Sequence, residues 1–189
     1  MMGTVSEEPL WKKLIEVRTQ LRDINLEHWL HNNVFTLTWW LSLIIVILVF
    51  FLWWKLADKT RLLEITAYGL MVAITAIILD ITGTGLILWG YPNMLLPFVP
   101  PLFAADLSIL PVAYMLIYQY FSDWKPFAVA ALVLALFLSF IVEPIAVWLE
   151  AYEMNNWKHI YSFPIYIVLA LSLKWVMNKI LAKQSLIKS

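Results

Sequence analysis

The feature that most constrains the fold is a run from Phe35 to Trp54 that contains no charged side chain. An α-helix rises about 1.5 Å per residue, so this run is long enough to cross a hydrocarbon core about 30 Å thick. Within lipid, only helices and closed barrels satisfy every backbone polar group, and an uninterrupted apolar run lacks the alternation of a barrel strand. The sequence therefore predicts an all-α fold, a polytopic bundle of transmembrane helices.

Composition excludes several function classes. Of the 189 residues, 62% are apolar and 14% are charged, whereas an ordinary soluble domain has about 45–50% and about 25%. A soluble enzyme of this length would lack the polar surface it needs. The formal net charge is zero, which argues against a nucleic-acid partner, and the absence of cysteine excludes disulfides and thiolate metal sites. We expect membrane lipids as partners and no cofactor.

Further apolar runs follow the first one. The five predicted spans are Phe35–Trp54, Leu62–Ile81, Leu102–Phe121, Pro126–Leu149 and Ile160–Val176. Together they predict a transmembrane bundle over residues 35–180 and a cytoplasmic tail over residues 181–189. Basic residues of the 55–61 loop and of the C-terminal end then share one side of the membrane, which is predicted to be cytoplasmic. Lys174 is expected to extend its ammonium group to the interface.

Residues 1–34 are polar and predict an amphipathic helix over residues 6–31. Its apolar side chains fall on one helical stripe: Leu10, Leu14, Val17, Leu21 and Ile24. Ser6 is a candidate N-cap. Two interpretations are open. The stripe either lies on the membrane surface or pairs with another helix, as in a homo-oligomer or a partner subunit, or it packs against its own bundle.

The connector at residues 82–101 combines helix-breaking residues with apolar ones and carries no charge. Its glycines and prolines are Gly83, Gly85, Gly90, Pro92, Pro97, Pro100 and Pro101. Three interpretations are open: a re-entrant or interfacial segment, a plain surface loop resting on lipid, or a sixth, broken crossing. The first is the one that we favour.

The candidate catalytic residues are Asp80, Asp106 and Glu143. No Lys or Arg occurs between Arg61 and Lys125, and an isolated carboxylate in hydrocarbon costs at least about 2.5 kcal/mol. Such groups must be neutral, pair with one another, accept hydrogen bonds from neutral donors, or hold a cation. Since helix directions alternate, five spans bring all three acids to the same leaflet.

We expect aromatic and polar side chains to surround these acids and to bind a ligand. The candidates are Trp89, Tyr91, Tyr161, Ser162 and His159. Two carboxyls that share a low-dielectric site can keep one proton near neutral pH, which suits a general acid. No pair of residues shows metal-ligand spacing, so a metal is not expected. Each acid also has a structural interpretation, as a helix end, a first-turn acid or a kink.

These residues predict a membrane-embedded site for a lipophilic, lipid- or isoprenoid-like molecule, with acid–base chemistry as a further step; whether the protein is an enzyme stays open. A second hypothesis is a small proton- or cation-coupled transporter. A third is a structural or partner-binding membrane subunit.

Several motifs together resemble a known family. They include Leu88-Trp89-Gly90-Tyr91-Pro92, Ala105-Asp106-Leu107, Glu143-Pro144 and Asn156-Trp157-Lys158, and they continue through Tyr161-Ser162-Phe163-Pro164-Ile165-Tyr166. Over roughly residues 35–180 the chain resembles an uncharacterised family of small multi-pass membrane proteins of spore-forming Firmicutes. The resemblance implies a location in the bacterial plasma membrane or a spore membrane. It implies no activity and assigns no site residues.

Overall fold

The computed structural model describes residues 8–98 and 104–188, which fold into helices joined by short connections. The α-helices are α1 (Pro9–His28), α2 (Leu37–Leu56), α3 (Leu62–Gly85), α4 (Leu110–Tyr120), α5 (Trp124–Phe137), α6 (Glu143–Trp148) and α7 (His159–Lys188). Three π-helical segments are π1 (Trp29–Asn33), π2 (Ala105–Ile109) and π3 (Leu138–Val142). Two short strands, β1 (Trp89–Gly90) and β2 (Glu153–Met154), pair with each other. The predicted all-α class is confirmed.

Within residues 8–98 and 104–188, four helical stretches are long and apolar enough to cross a membrane: Leu37–Leu56, Leu62–Gly85, Trp124–Trp148 and His159–Leu186. This number corrects the prediction of five. The predicted third span, Leu102–Phe121, begins outside the described residues, and its described part consists of π2 and the 11-residue α4. Pro111 interrupts regular hydrogen bonding near the junction of the two, so the regular α-helix there is short.

Two helix boundaries differ from the prediction. Helix α3 continues to Gly85 because the hydroxyls of Thr82 and Thr84 donate to the carbonyls one turn earlier. The connector is therefore shorter than the predicted 82–101, and its described part, residues 86–98, contains no helix and no crossing. Helix α7 runs to Lys188, so the segment predicted as a tail is helical up to that residue.

Two of the π-helical segments each end shortly before a proline. Segment π2 ends two residues before Pro111, and π3 ends two residues before Pro144. Proline lacks an N–H group and its ring crowds the carbonyl four residues earlier, and a locally widened turn relieves this conflict. Asp106 lies within π2 and Glu143 directly follows π3. The backbone is therefore irregular beside two of the three acids.

The core lies between α3, α4, α5 and α7. Its largest fully buried apolar side chains include Tyr68, Tyr114 and Phe127, and α3 packs along α4 while α5 packs along α7. Helix α2 lies at the periphery, with Val46 as its one buried residue. The bundle therefore has a tightly packed centre and one loosely attached helix.

The two connections after α3 and α6 cover one end of the bundle. We call residues 86–95 and 149–158 the aromatic cap. Trp89 pairs with Met154 in the β1–β2 ribbon, and the Leu88 carbonyl accepts from the N–H groups of Asn155 and Asn156 at 3.0 and 2.9 Å. Each connection therefore holds the other in place.

Helix α1 buries none of its residues, so the interpretation that its apolar stripe packs on the bundle is wrong. The helix is attached only at its C-terminal end among the described contacts. There His28 Nε2 lies 3.0 Å from the Pro92 carbonyl, and Trp29 Nε1 donates to the Met94 carbonyl at 3.1 Å. The C-terminal end of α1 therefore lies at the capped end of the bundle. Ser6, the predicted N-cap of this helix, lies outside the described residues.

Candidate functional site

The three candidate acids line one cavity of about 380 Å³ beneath the aromatic cap. Asp80 comes from the last turns of α3, Asp106 from π2, and Glu143 from the start of α6. The remaining wall comes from α2, α4, π3, α7 and the cap. Acids that are far apart in sequence are therefore neighbours at one end of the bundle, as the alternation of helix directions predicts.

Asp80 is held by the aromatic cap. Its Oδ1 atom accepts hydrogen bonds from Trp89 Nε1, at 2.8 Å, and from the Tyr91 hydroxyl. Burial, reinforced by the charge of Asp80, raises the pKa of Tyr91 above its ordinary value, so this hydroxyl stays protonated and acts as a donor. The approach of the cap requires glycine at position 83, because a Cβ atom there would lie 2.0 Å from the Trp89 ring.

Asp106 lies against Asp80, within reach of a hydrogen bond when one of the two carboxyls carries a proton. The two residues are 6% and 4% exposed. Apart from this contact, Oδ2 of each carboxyl has no hydrogen-bond partner in the described part of the chain. Two buried carboxylates in contact repel each other, so the pair favours a state in which it shares one proton or a cation.

Both carboxyl oxygens of Glu143 have a hydrogen-bond partner, unlike those of Asp80 and Asp106. Its Oε2 atom lies 2.8 Å from His159 Nδ1, and its Oε1 accepts from the Tyr166 hydroxyl at 3.0 Å. The side chain of His159 is 26% exposed while that of Glu143 is 10% exposed. The pair therefore joins the cavity to the molecular surface, and it offers a route for proton exchange between the two.

Most of the cavity wall is apolar. Branched side chains from α2, π3 and α6 contribute much of it, including Leu41, Ile45, Leu138, Val142 and Ile145. The polar atoms are concentrated at the capped end. The cavity thus resembles a ligand site in which apolar walls supply affinity and a few polar groups set orientation.

The structure brings together most of the predicted ligand-binding residues. Trp89, Tyr91 and Ser162 line the cavity, and His159 lies behind Glu143. The prediction for Tyr161 needs correction: its side chain is 47% exposed and packs edge-to-face on the Trp157 ring outside the cavity. Neighbouring residues of a helix point about 100° apart, and in α7 Ser162 faces the cavity while Tyr161 faces away from it.

Three aromatic lining residues among those described were not predicted: Tyr152, Trp157 and Tyr166. A signal existed for Tyr166, because residues four apart share a helix face and Ser162 points inward. Trp157 donates to the Ser162 hydroxyl at 2.9 Å, and Tyr152 stacks on Tyr91 with ring centroids 5.6 Å apart. These two residues belong to the cap, and no periodic pattern in the sequence predicts their positions.

No cluster of three or more metal-ligating side chains occurs among the described residues. Comparison with protein-family models, with curated proteins and with solved structures gave no significant match.

Proposed function

We propose that the cavity binds a lipophilic molecule, of lipid- or isoprenoid-like character, next to protonatable acids. The observation that carries this proposal is the division of one cavity into a long apolar wall and a capped end holding Asp80, Asp106 and Glu143. An apolar chain gains from removal of its surface from water, about 25 cal/mol per Å². The functional group of the molecule would then lie against the acids.

The acids have different roles in this proposal. Asp80 is fixed by two donors from the cap and stays in place. Asp106 has no such donor and exchanges a proton with the bound molecule, which is the acid–base step. Glu143 and His159 exchange protons with the surface. Trp89, Tyr91 and Ser162 orient the molecule.

We further propose that π2 and α4, although neither is long enough to count among the four regular spans, together cross the membrane as an irregular segment. Helix α4 runs antiparallel to α3: Asp106 meets Asp80 at one end, and the Tyr118 hydroxyl donates to Glu64 at the other, at 2.6 Å. The segment thus covers most of the length of α3. In this arrangement α1 and the cap lie on one side of a bacterial plasma or spore membrane, the location that the family resemblance suggests.

The second candidate, a proton- or cation-coupled transporter, needs a polar path to both ends of the bundle. Buried tyrosines do lie between Glu143 and Glu64. However, Tyr114 donates to the Tyr166 carbonyl at 2.9 Å and Tyr68 to the Ala170 carbonyl at 3.3 Å. Hydroxyls fixed on backbone carbonyls do not relay protons to one another, so this geometry favours a binding site over a transport path. A partner-binding role of the exposed α1 stripe is compatible with either.

The proposal can be tested by purifying the protein from native membranes and identifying the lipids that co-purify by mass spectrometry. We expect an enriched lipophilic species that raises the melting temperature when added back. The variants Asp106→Asn and Glu143→Gln should fold but lose most of this stabilisation. Glu153→Gln, which changes an exposed carboxyl of the cap, is the matched control.

Two outcomes would contradict the proposal. One is a purified protein without an enriched lipophilic species and without stabilisation by the membrane extract. The other is loss of intrinsic stability in both acid variants with unchanged ligand response, which would show that the acids are structural.

A further inference from the structure

We propose that the group bound at the capped end is an organic cation, so that the ligand is a lipophilic amine bound as its ammonium ion, whose proton Asp106 can exchange. This inference rests on the proposed function, because it specifies the polar group of the lipophilic molecule. Three features of the cavity support it: the charge of its lining, the carboxyl oxygens without a donor, and the aromatic rings around them.

The charged side chains that line the cavity are acidic. Three acidic side chains line it, and no Lys or Arg does among the described residues. Among the described residues, the basic group in contact with a cavity acid is His159, which is bonded to Glu143 rather than to the Asp80–Asp106 pair. A phosphate or carboxylate would be repelled here, whereas a cation would be attracted in a region of low dielectric constant.

The Asp80–Asp106 pair is only partly satisfied: Trp89 and Tyr91 donate to Oδ1 of Asp80, but no described residue donates to Oδ2 of either carboxyl. Oδ2 of Asp80 and Oδ2 of Asp106 are buried without a hydrogen-bond partner, although each residue is more than nine-tenths buried. A buried polar atom without a partner costs about 1–3 kcal/mol, and a charged one costs more. A cation placed against the pair would compensate both carboxylates at once, which a single neutral donor cannot do.

Aromatic rings surround the same end. Trp89 and Trp157 pack edge-to-face with centroids 4.9 Å apart, and Tyr91 stacks on Tyr152; all four residues line the cavity. The faces of such rings attract cations, and quaternary ammonium groups are bound in proteins by aromatic residues of this kind. Acids and rings together therefore fit an alkylated ammonium group better than a bare metal ion, for which a cavity of about 380 Å³ is too large.

A matched pair of ligands tests the inference. One is dodecyltrimethylammonium, whose charge does not change with pH. The other is its neutral analogue, in which a carbon atom replaces the nitrogen. Binding of each to the full-length protein in a nonionic detergent is measured by calorimetry and by the shift in melting temperature. We expect the cation to bind at least 10-fold more tightly than the neutral analogue.

Variants test whether the preference for the cation depends on the Asp80–Asp106 pair. Asp106→Asn and, independently, Asp80→Asn should reduce the preference for the cation at least 10-fold, while Glu153→Gln should keep it. Gel filtration checks that each variant is folded, and two separate variants keep the test decisive if one of them is not.

The outcomes separate the two proposals. Equal binding of both ligands would overturn the cation and leave the lipophilic site standing. A preference for the cation that persists in both aspartate variants would overturn the assignment to this pair. Binding of neither ligand would overturn the inference, and the co-purification experiment then decides the proposed function by itself.

Discussion

The two ends of the bundle bury charged side chains in different ways. At the end opposite the cap, Lys174 is 1% exposed, and its ammonium donates to the carbonyls of Phe121 and Ser122 at 2.8 and 2.7 Å. Glu64 there accepts from Arg61 and from the Tyr118 hydroxyl. At the capped end, by contrast, Asp80 and Asp106 each keep an oxygen without a donor. The charges of Lys174 and Glu64 are therefore satisfied, whereas the buried charges of the Asp80–Asp106 pair are only partly satisfied.

The backbone shows the same difference. Three non-glycine residues have positive φ angles in the described chain, Phe35 at 63°, Ile87 at 56° and Glu150 at 56°, and all three lie in connections at the capped end. The left-handed conformation costs an ordinary residue about 1–2 kcal/mol. Unfavourable conformations and unpaired polar groups are typical of functional sites, which sacrifice stability for geometry. Left-handed non-glycine residues and unpaired carboxyl oxygens therefore occur together at the capped end, whereas Lys174 and Glu64 at the opposite end have hydrogen-bond partners.

The largest effect on stability is expected from the substitution Lys174→Met. Methionine preserves the length of the side chain but leaves the two carbonyls at the end of α4 without their donor. Loss of hydrogen bonds from a charged group predicts a decrease of about 2–3 kcal/mol in the free energy of unfolding. Chemical denaturation in detergent, followed by tryptophan fluorescence, measures it.

Two controls accompany this variant. Lys179→Met changes an exposed lysine of the same helix and should alter stability by no more than about 0.5 kcal/mol. Asp106→Asn removes a charge at the capped end and should leave the free energy of unfolding unchanged or higher. If Lys174→Met is as stable as the natural sequence, or if Asp106→Asn is the more harmful change, the contrast between the two ends is wrong.

A second effect concerns the contact between α3 and the cap. Gly83→Ala introduces a Cβ atom 2.0 Å from the Trp89 ring, so the indole must move and its hydrogen bond to Asp80 is lost. Overpacking of this kind predicts a loss of about 1–3 kcal/mol. Gly85→Ala, where nothing lies within 4 Å, is the matched control and should be neutral or slightly stabilising. Equal melting temperatures of the two variants would contradict close packing of the cap.

Part of this contrast can be predicted from the sequence. The uncharged run Phe35–Trp54 requires a membrane helix, and the alternation of helix directions places Asp80, Asp106 and Glu143 at one level. These predictions depend on length, hydropathy and chain direction, which are properties of the segments themselves. The grouping of the acids therefore follows from the sequence even though their individual contacts do not.

Other features depend on contacts between distant residues. Lys174 was expected at the interface but is buried, because its partners are carbonyls more than 50 residues away. Segment Leu102–Phe121 was expected as one regular span, whereas the turn before Pro111 is π-helical. Tyr161 was expected in the cavity, but the rotation of α7 places Tyr166 there. Neither hydropathy nor composition reports these contacts.

A smaller effect is expected from relief of backbone strain. Ile87 has a φ of 56° immediately after α3, and its N–H donates to the Thr84 carbonyl at 3.0 Å. Glycine adopts this conformation without steric cost, whereas a β-branched residue does not. Ile87→Gly should therefore raise the free energy of unfolding by about 1 kcal/mol. Leu86→Gly, at a residue with negative φ, should lower it; stabilisation by both changes would show that strain at Ile87 is not the cause.

The smallest effect is a pH dependence at the end opposite the cap. The hydroxyl and the N–H of Thr60 donate to Asp58 Oδ1 at 2.7 and 2.9 Å, and these bonds hold the pKa of Asp58 below its ordinary value. A lowered pKa in the folded state contributes stability above the unfolded value, about 3.9, and this contribution disappears as the pH falls through the folded value. Because solvent screens the hydrogen-bonded carboxyl of Asp58, the contribution is small. Asp58→Asn should lower the melting temperature slightly at pH 6 and should match the natural sequence at pH 2.5. A difference that grows in acid would mean that Asp58 opposes folding, and this end of the bundle would then also contain an unfavourable charge.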